Sequence, residues 1–319
     1  MIGVIGAGAF GTALAISLSR NGPITLWSHD AEHAADMQKS RENKRRLPNV
    51  VLPEEIFVST NIETVLEAEA ILLAVPMQKL RGLMENHSAS VGGAPLIACC
   101  KGIELSTGKR ATEVFAEFRP DNTHAVLTGP SFASDIARGL PTALTLACVD
   151  DAQGRDLQVK MTTPNIRTYR TLDVIGAELG GALKNVIAIA CGAAAGAELG
   201  ESARAALMTR GFAEIIRAAK AKGARVETMS GLSGFGDLAL TCGSTQSRNF
   251  RYGQSLGRGE EFDSGVTIEG ASTALAMSEE AANTGLDVPI TNAVAHLVKG
   301  ELKVIEAIDM LLSRPLKEE

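Results

Sequence analysis

Short apolar runs alternate with helix-like segments through the first half of the chain. Residues 70–75 are apolar at every position, which is typical of a parallel strand covered by helices on both faces of its sheet. Runs of this kind predict strands at residues 2–5, 24–27, 56–59, 70–75, 96–100, 124–127, 142–149 and 166–170. We therefore predict a doubly wound, Rossmann-like α/β domain with a parallel sheet over residues 1–174.

The pattern changes after Asp173. Apolar residues then recur at the spacing of one helix face, at positions 208, 212, 215, 216 and 219 and again at 304, 305, 308, 311 and 312. Gly192 and Gly196, spaced as Gly-x-x-x-Gly, predict close packing of helices. Few strand-like runs remain, so we predict a mainly α-helical second domain over residues 175–319.

Composition narrows the class of protein further. The chain has 319 residues, more than one hydrophobic core usually supports, so two domains are expected. Hydrophobic residues make up 45% and charged residues 21%, which excludes a mainly disordered chain. The net charge is −6. Because neither half carries an excess of positive charge, we predict no nucleic-acid partner.

The sequence carries no pattern typical of export or membrane insertion. Met1 leads directly into an apolar strand and a glycine turn rather than into a basic leader. The longest apolar run, residues 186–197, is shorter than the ~20 residues that cross a bilayer, so we predict no transmembrane segment. The five cysteines show no Cys-x-x-Cys spacing. We assign no metal site and predict reduced thiols in a cytoplasmic protein.

A glycine-rich turn follows the first predicted strand. Gly6, Gly8 and Gly11 form the pattern G-x-G-x-x-G between that strand and a helix that stops at residues 21–23. In this context Gly6 permits a tight turn, Gly8 lets a pyrophosphate approach the backbone, and Gly11 lets the helix pack against the strand. The pattern predicts dinucleotide binding, and a glycine-rich packing turn is the alternative.

The choice between NAD and NADP depends on the end of the second strand. An acid there binds the ribose hydroxyls of NAD, whereas a basic group accommodates the extra phosphate of NADP. His29 is suited to a phosphate and Asp30 to hydroxyls, so the sequence leaves the preference open. His29 is equally compatible with a solvated surface position.

Three segments of the second half carry candidate chemistry. Lys184 interrupts a helix that is otherwise apolar or small, and a buried ammonium is costly unless it is paired or used. Burial makes an amine easier to deprotonate, so a lysine here is a candidate proton donor, with a surface lysine as the alternative. Asp237 ends a glycine-rich loop and is a site carboxylate, a helix cap or both. Arg248, between Ser247 and Asn249, collects donors suited to a phosphate dianion, with a solvated face as the alternative.

Further motifs occur in a fixed order along essentially the whole chain. They are Gly6-Ala7-Gly8-Ala9-Phe10-Gly11-Thr12-Ala13-Leu14-Ala15, Ala74-Val75-Pro76, Lys101-Gly102, Gly129-Pro130-Ser131-Phe132-Ala133, Lys184-Asn185-Val186, Gly236-Asp237-Leu238, Thr241-Cys242, Ser247-Arg248-Asn249 and Glu269-Gly270. Together they resemble the bacterial type of NAD(P)-dependent glycerol-3-phosphate dehydrogenase.

The resemblance implies an enzyme that interconverts dihydroxyacetone phosphate and sn-glycerol 3-phosphate with NAD(P)H, which supplies glycerol 3-phosphate for glycerophospholipids. It implies that Lys184 protonates the carbonyl oxygen of the substrate as hydride arrives. The implied substrate residues are Lys101, Gly129, Ser131, Lys184, Asp237, Ser247, Arg248 and Asn249. The implied cofactor residues, beside the glycines of the turn, are Ala9, Phe10, His29, Lys101, Ala133, Arg248, Thr267 and Glu269.

The chain departs from the family in two places. The family usually has Asn-x-x-Tyr-Leu-Pro where this chain has Asn43-Lys44-Arg45-Arg46-Leu47-Pro48. A solvated basic loop is the plain interpretation of Arg46, and a role in phosphate steering or NADP preference is a second hypothesis. Thr267 stands where the family usually has an aliphatic residue.

Two other functions remain open at this point. A related dehydrogenase acting on a β-hydroxyacid or ketopantoate would also use a lysine in a helical domain, although its substrates present a carboxylate rather than a phosphate. A dinucleotide sensor without catalysis would not need both Lys184 and Asp237. The partner is expected to be a small phosphorylated substrate, and the apolar helical half is compatible with a homodimer.

Overall fold

The computed structural model describes residues 1–313. The chain forms two compact units: the first contains residues 1–101 and 110–178, and the second contains residues 102–109 and the chain from Leu179 onward. The predicted domain boundary, between residues 174 and 175, lies four residues before the observed one, and the prediction places residues 102–109 in the first domain. The crossing lies inside one continuous helix, Val174–Gly196, which leaves no break in the apolar pattern. The end of the predicted second domain, residues 314–319, lies outside the described residues.

The first unit contains all the strands found within residues 1–313. They are β1 (Ile2–Ile5), β2 (Ile24–Trp27), β3 (Glu42–Asn43), β4 (Leu47–Val51), β5 (Ile56–Ser59), β6 (Ile71–Leu73), β7 (Leu96–Ala98), β8 (His124–Thr128), β9 (Thr142–Cys148) and β10 (Ile166–Thr171). Its helices are α1 (Ala9–Leu18), α2 (Ala31–Ser40), α3 (Glu63–Leu66), α4 (Met77–His87), α5 (Ala111–Phe118), α6 (Ala133–Ala137) and α7 (Asp151–Met161).

Eight of the strands form one sheet in the order β10-β9-β8-β7-β6-β1-β2-β5. Neighbouring strands are parallel except β8 and β9, which run antiparallel. These are the strands that the apolar runs predict, so the predicted fold class is confirmed. The sequence did not predict the separate antiparallel hairpin of β3 and β4, which contains the basic loop.

A hydrophobic core covers each face of the sheet. Leu72 of β6 belongs to one cluster, which includes Leu14 of α1 and Met37 of α2. Its neighbours Ile71 and Leu73 belong to the other cluster, with side chains of α3, α4 and α5. Successive side chains of a strand point to opposite faces, so a strand covered on both sides needs an unbroken apolar run.

The regular secondary structure of the second unit's described part is all helical, and its segment 102–109 is a loop. Its helices are α8 (Val174–Gly196, which begins in the first unit), α9 (Gly200–Ala221), α10 (Val226–Ser230), α11 (Asp237–Cys242), α12 (Arg248–Arg258), α13 (Glu269–Thr284), α14 (Pro289–Lys299) and α15 (Val304–Leu312). A π-helical turn, Leu232–Gly236, leads into α11. The predicted stripes lie on α9 and α15, although Ile305 and Leu312 of α15 are exposed.

Glycines bring α8 and α12 into backbone contact. A Cβ placed on Gly192 would lie 2.1 Å from the Phe250 carbonyl oxygen, and one placed on Gly196 would lie 2.2 Å from that of Gln254. The contacts are reciprocal, because Gly253 and Gly257 of α12 stand equally close to carbonyls of α8. The prediction of close helix packing at Gly192 and Gly196 is therefore confirmed.

Helix α8 is long and apolar enough, by length and composition alone, to cross a membrane. However, 94% of its most apolar 18-residue window is buried inside the structure. Core helices of this length pass the same test, so this helix gives no reason to assign a membrane span.

The buried carboxyl group of Glu214 connects two helices of the second unit. Glu214 of α9 accepts hydrogen bonds from the backbone N–H groups of Ile290 and Thr291, both at 2.8 Å. These N–H groups lie in the first turn of α14, where they have no partner within the helix. Burial raises the pKa of Glu214 against the lowering effect of these hydrogen bonds. The Glu214 carboxyl therefore caps α14 from a different helix.

Glu178 is the buried carboxyl whose titration we expect to affect stability near neutral pH. It accepts hydrogen bonds from the Thr112 N–H and hydroxyl, both at 2.8 Å, and from the Arg110 guanidinium at 3.1 Å. Burial nevertheless raises the pKa of Glu178 from 4.5 to about 7. A carboxyl with a raised folded-state pKa stabilises the fold below its unfolded pKa, and that contribution is lost as the pH rises through the folded value.

We expect the chain to lose up to about 3 kcal/mol of stability from this group between about pH 5 and about pH 8. Glu178→Gln should show a smaller loss over the same interval, because it cannot ionise. Thermal melts across that range measure the difference. Glu85→Gln, at an exposed position of α4, controls for the loss of one surface charge. A Glu178→Gln variant with the pH slope of the parent chain would contradict the prediction.

Candidate active site

In the first unit, predicted site residues follow the carboxyl ends of neighbouring strands. The glycine turn follows β1, Lys101 lies shortly after β7, and Gly129 follows β8. In the sheet these strands are separated only by β6. Open α/β sheets bind ligands outside the carboxyl ends of their strands, so the topology brings these residues to one edge of the sheet.

The glycine turn has the shape that a dinucleotide pyrophosphate requires. Gly6 has a φ of 114°, and a Cβ there would lie 2.8 Å from the Ala74 carbonyl oxygen. A Cβ on Gly11 would lie 2.0 Å from the Gly6 carbonyl oxygen, whereas one on Gly8 would meet nothing within 4 Å. Helix α1 begins at Ala9 without a side-chain cap. Open space beside uncapped helix N–H groups suits an anion, so these residues fit the cofactor.

Lys101 brings several predicted residues together. Its Nζ donates to the Gly129 carbonyl at 3.0 Å and lies 6.0 Å from the centroid of the Phe10 ring. The Ser131 hydroxyl donates to the same carbonyl at 3.1 Å. Ala133 begins α6 and packs partly buried against the core. One cluster in the first unit thus joins residues implied for the substrate with Phe10, which is implied for the cofactor.

The two candidates for cofactor choice differ in their surroundings. His29 is exposed just after β2, with its ring 6.3 Å from that of Trp27. Asp30 caps α2 and accepts a hydrogen bond from the His33 N–H at 2.9 Å. His29 is therefore accessible to a ligand, while Asp30 already has a structural task.

The second unit centres on the side chain of Lys184, which is buried within α8. Its Nζ donates to the Asp237 carboxylate at 2.5 Å and to the Thr241 hydroxyl at 2.7 Å. Lys184 is 6% exposed and Asp237 is 1% exposed. The attraction between the two opposite charges offsets part of the cost of burying them. The apolar surroundings that made Lys184 a candidate are present, and Asp237 is its partner.

Asp237 reaches Lys184 because the backbone comes unusually close to α8. A Cβ on Gly180 would lie 2.5 Å from the Ser233 carbonyl oxygen in the π-helical turn. A Cβ on Gly234 would lie 1.9 Å from the Met229 carbonyl oxygen. The glycines of this segment therefore shape the turn that leads directly to Asp237 at the start of α11.

The motif Thr241-Cys242 contributes a hydroxyl to which the resemblance assigns no role. The Thr241 hydroxyl donates to the Asp237 carbonyl at 2.6 Å while accepting from Lys184. The available signal was the spacing, because residues four apart on a helix share one face.

The residue after Thr241 is a buried cysteine. A hydrogen bond with the Cys191 thiol, together with burial, raises the pKa of the Cys242 thiol well above its usual value. Cys242 therefore adds no negative charge beside the lysine.

The remaining predicted residues lie at the starts of α12 and α13. Ser247 caps α12 by accepting from the Phe250 N–H at 3.2 Å, and Arg248 is exposed in the first turn. The side-chain oxygen Oδ1 of Asn249 accepts from the Gly270 N–H at 3.0 Å. This bond connects the segment implied for the substrate with Glu269 and Thr267, which the resemblance assigns to the cofactor. In the second unit this hydrogen bond therefore joins the starts of α12 and α13.

Comparisons with known proteins agree on one family. Family models described as NAD-dependent glycerol-3-phosphate dehydrogenase match both halves of the chain, the N-terminus over residues 1–154 and the C-terminus over residues 173–309. A relative from Ruegeria sp. (strain TM1040), named glycerol-3-phosphate dehydrogenase with NAD(P)+ as cofactor, is 58% identical over 318 residues. The match covers 100% of this chain and 99% of the relative.

Solved structures are similar over nearly the whole chain. The glycerol-3-phosphate dehydrogenase of Coxiella burnetii has a TM-score of 0.94 at 35% identity, covering 98% of each chain. A probable 2-dehydropantoate 2-reductase of Bacillus subtilis has a TM-score of 0.61 at 16% identity, covering 94% of this chain and 99% of that one, and therefore shares only the fold. On these matches and on the order of its motifs, the chain belongs to the NAD-dependent glycerol-3-phosphate dehydrogenase family.

Proposed function

We propose that this chain interconverts dihydroxyacetone phosphate and sn-glycerol 3-phosphate with NAD(P)H, and so supplies glycerol 3-phosphate for glycerophospholipid synthesis. The observation that carries the proposal is the buried group of Lys184, Asp237 and Thr241 in a family member with a dinucleotide turn. A dinucleotide sensor would not need a buried ammonium held in this way. Family membership favours a phosphorylated substrate over the carboxylates of a β-hydroxyacid or ketopantoate.

Reduction of a ketone requires a hydride at carbon and a proton at oxygen. NAD(P)H, when bound, supplies the hydride. Lys184 would donate the proton to the carbonyl oxygen and recover one from that oxygen in the reverse direction. Proton donation of this kind is typically worth ~10²–10⁴-fold in rate. The reaction consumes one NAD(P)H and one proton for each ketone reduced.

Asp237 and Thr241 would hold the Lys184 amine in one direction. A lysine side chain has about four rotatable bonds and three N–H donors, so an unrestrained ammonium group can point in many directions. The Asp237 carboxylate and the Thr241 hydroxyl occupy two of those donors at short distances. The Asp237 carboxylate is also the counter-ion of the ammonium.

Lys101, Ser131 and Gly129 would bind the substrate. Their mutual contacts hold the Lys101 ammonium at the carbonyl of Gly129. Ser247, Arg248 and Asn249 would bind its phosphate, and the resemblance also assigns Arg248 to the cofactor. Binding a phosphate remote from the reacting carbon improves positioning for the chemical step.

A cytoplasmic homodimer completes the proposal. The five cysteines carry free thiols, which is typical of a reducing compartment. The apolar helical half provides surface for a second copy. Sedimentation equilibrium of the purified chain measures the oligomeric state, and a monomer at micromolar concentration would contradict the dimer.

Removing the Lys184 amine should abolish turnover and leave dinucleotide binding nearly unchanged. Oxidation of NADH and NADPH with dihydroxyacetone phosphate measures turnover, and nicotinamide fluorescence measures binding. The single variant Lys184→Ala removes the counter-ion of a buried carboxylate, at a cost of about 3–5 kcal/mol. If the single variant unfolds, the double variant Lys184→Met with Asp237→Asn removes both buried charges and still tests whether turnover requires the amine.

Lys222→Ala is the matched control, because Lys222 forms a 2.5 Å ion pair with Glu280 in the same unit. It should keep full activity. Activity above a few per cent in a folded Lys184→Ala variant would contradict the assignment of the proton donor.

Removing the Thr241 hydroxyl should lower kcat without a comparable change in KM. One hydrogen bond to a charged group is worth about 1.5–3 kcal/mol, which corresponds to a loss of roughly 10–100-fold. Thr241→Val keeps the shape and loses the hydroxyl, whereas Thr241→Ser keeps the hydroxyl. Rescue by serine separates positioning from packing. Equal kcat in the parent chain and Thr241→Val would exclude the role.

Arg248→Ala should raise KM for the phosphorylated substrate strongly. Its shared cofactor contact should weaken NAD(P)H binding to a lesser degree. Arg251→Ala is the control, because Arg251 is also exposed and lies one turn further along α12. An unchanged KM for dihydroxyacetone phosphate in Arg248→Ala would count against phosphate binding by this helix.

A further inference from the structure

Three consecutive cations form the tip of the β3–β4 hairpin and have no part in the proposed reaction. Lys44, Arg45 and Arg46 are exposed in a chain whose net charge is −6. We call these three residues the basic tip. A solvated loop explains their exposure, but two sets of contacts on either side of the tip hold it in one place.

The first set attaches the base of the tip to the glycine turn. The fully buried Asn43 amide donates to the Ala7 carbonyl at 3.0 Å and to the Thr12 hydroxyl at 2.8 Å. Its carbonyl oxygen accepts from the Arg46 N–H at 3.1 Å and lies 2.9 Å from Nε2 of His33. The backbone of the tip is therefore held beside the turn that suits the pyrophosphate.

The second set reaches the end of β2. Nη1 of Arg45 donates to Oδ2 of Asp30 at 2.9 Å, and Nη2 lies 3.7 Å from the Glu32 carboxylate. In this fold the adenosine ribose of a dinucleotide lies at the end of the second strand, about 20 residues after the glycine turn. The basic tip therefore extends from the pyrophosphate position to the ribose position.

Arg45 also occupies one of the two carboxylate oxygens of Asp30. One oxygen of Asp30 accepts from the His33 N–H, and the other accepts from Arg45. The His33 N–H and the Arg45 guanidinium lower the pKa of Asp30, so the carboxylate stays charged and bound to them. An acid used in this way is a helix cap and a partner for Arg45, rather than the acceptor for ribose hydroxyls that an NAD site requires.

We propose that Arg45 and Arg46 bind the 2′-phosphate of NADP(H), and that Asp30 positions Arg45 for this task. The proposal rests on the function proposed above, since it concerns the cofactor of that reaction. An arginine fork matches a phosphate dianion, and Arg45 has five N–H donors of which Asp30 takes one. The chain therefore prefers NADPH to NADH, which the sequence left open.

Binding of nucleotide fragments tests the proposal without any turnover. Isothermal titration calorimetry with adenosine 2′,5′-bisphosphate and with adenosine 5′-monophosphate isolates the contribution of the 2′-phosphate. The parent chain should bind the bisphosphate at least about tenfold more tightly. Arg45→Ala and Arg46→Ala should each weaken the bisphosphate by about tenfold and change the monophosphate by less than about twofold.

The control is Arg155→Ala. Arg155 is an exposed arginine of the first unit with its own carboxylate partner, Asp151, on α7. Helix α7 packs on β9 and β10, at the opposite edge of the sheet from β2. This variant should bind both fragments like the parent chain. Equal affinity of the parent chain for the two fragments, or equal losses for both in Arg45→Ala, would overturn the proposal.

The variant Asp30→Asn distinguishes an Asp30 that positions Arg45 from an Asp30 that binds ribose hydroxyls. Asparagine caps helices as well as aspartate does, so α2 should keep its start. If Asp30 only positions Arg45, the affinity for adenosine 5′-monophosphate should stay within about twofold. A loss of about tenfold for that fragment would mean that Asp30 binds ribose hydroxyls, which would overturn the proposal.

Fragment binding and the turnover assay can fail independently, so the 2′-phosphate site and the proposed reaction are tested separately. Selective binding of the bisphosphate without NADPH oxidation by dihydroxyacetone phosphate would remove the reaction and support the 2′-phosphate site. Turnover with NADH and NADPH at equal kcat/KM, together with equal fragment affinities, would support the reaction and overturn the site.

Discussion

The second unit depends on the burial of one ammonium group, that of Lys184. A charge removed from water is retained only where a partner of opposite charge lies within hydrogen-bond distance. Asp237 provides that partner, and it can do so only because Gly180 lets the π-helical turn approach the α8 backbone. The glycines of this region are therefore a geometric condition for the chemistry, and a methyl group at Gly180 would separate the two charges.

Periodicity predicted the fold because the sheet is covered on both faces. The central strands of that sheet coincide with apolar runs, whereas the edge strand β10 alternates buried and polar positions. The short β3–β4 hairpin packs Leu47 and Val50 on the core, but charged residues 44–46 interrupt its apolar pattern. The site residues were identified by motif and residue type, but their partners were not. Asn43 contacts Ala7 across 36 positions, a pairing that only the folded chain creates. Thr241 alone had a local signal, its spacing of four from Asp237.

Several residues in or beside the proposed binding sites also hold the fold together. Ser247 caps α12, Asn249 accepts from the Gly270 N–H, and Asp30 caps α2 while it binds Arg45. Each is a small polar residue at the start of a helix, where unpaired N–H groups need an acceptor. Substitutions at these positions combine two effects, so conservative replacements that keep the cap are the informative ones.

The reciprocal glycine contacts between α8 and α12 have a consequence for motion. Where backbones touch without intervening side chains, no rotamer can change to absorb a displacement of one helix along the other. Lys184 lies on α8, and Arg248 begins α12. The proposed proton donor and the proposed phosphate ligand should therefore travel as one rigid body, and thermal fluctuations of this pair should leave the span from carbonyl to phosphate almost constant.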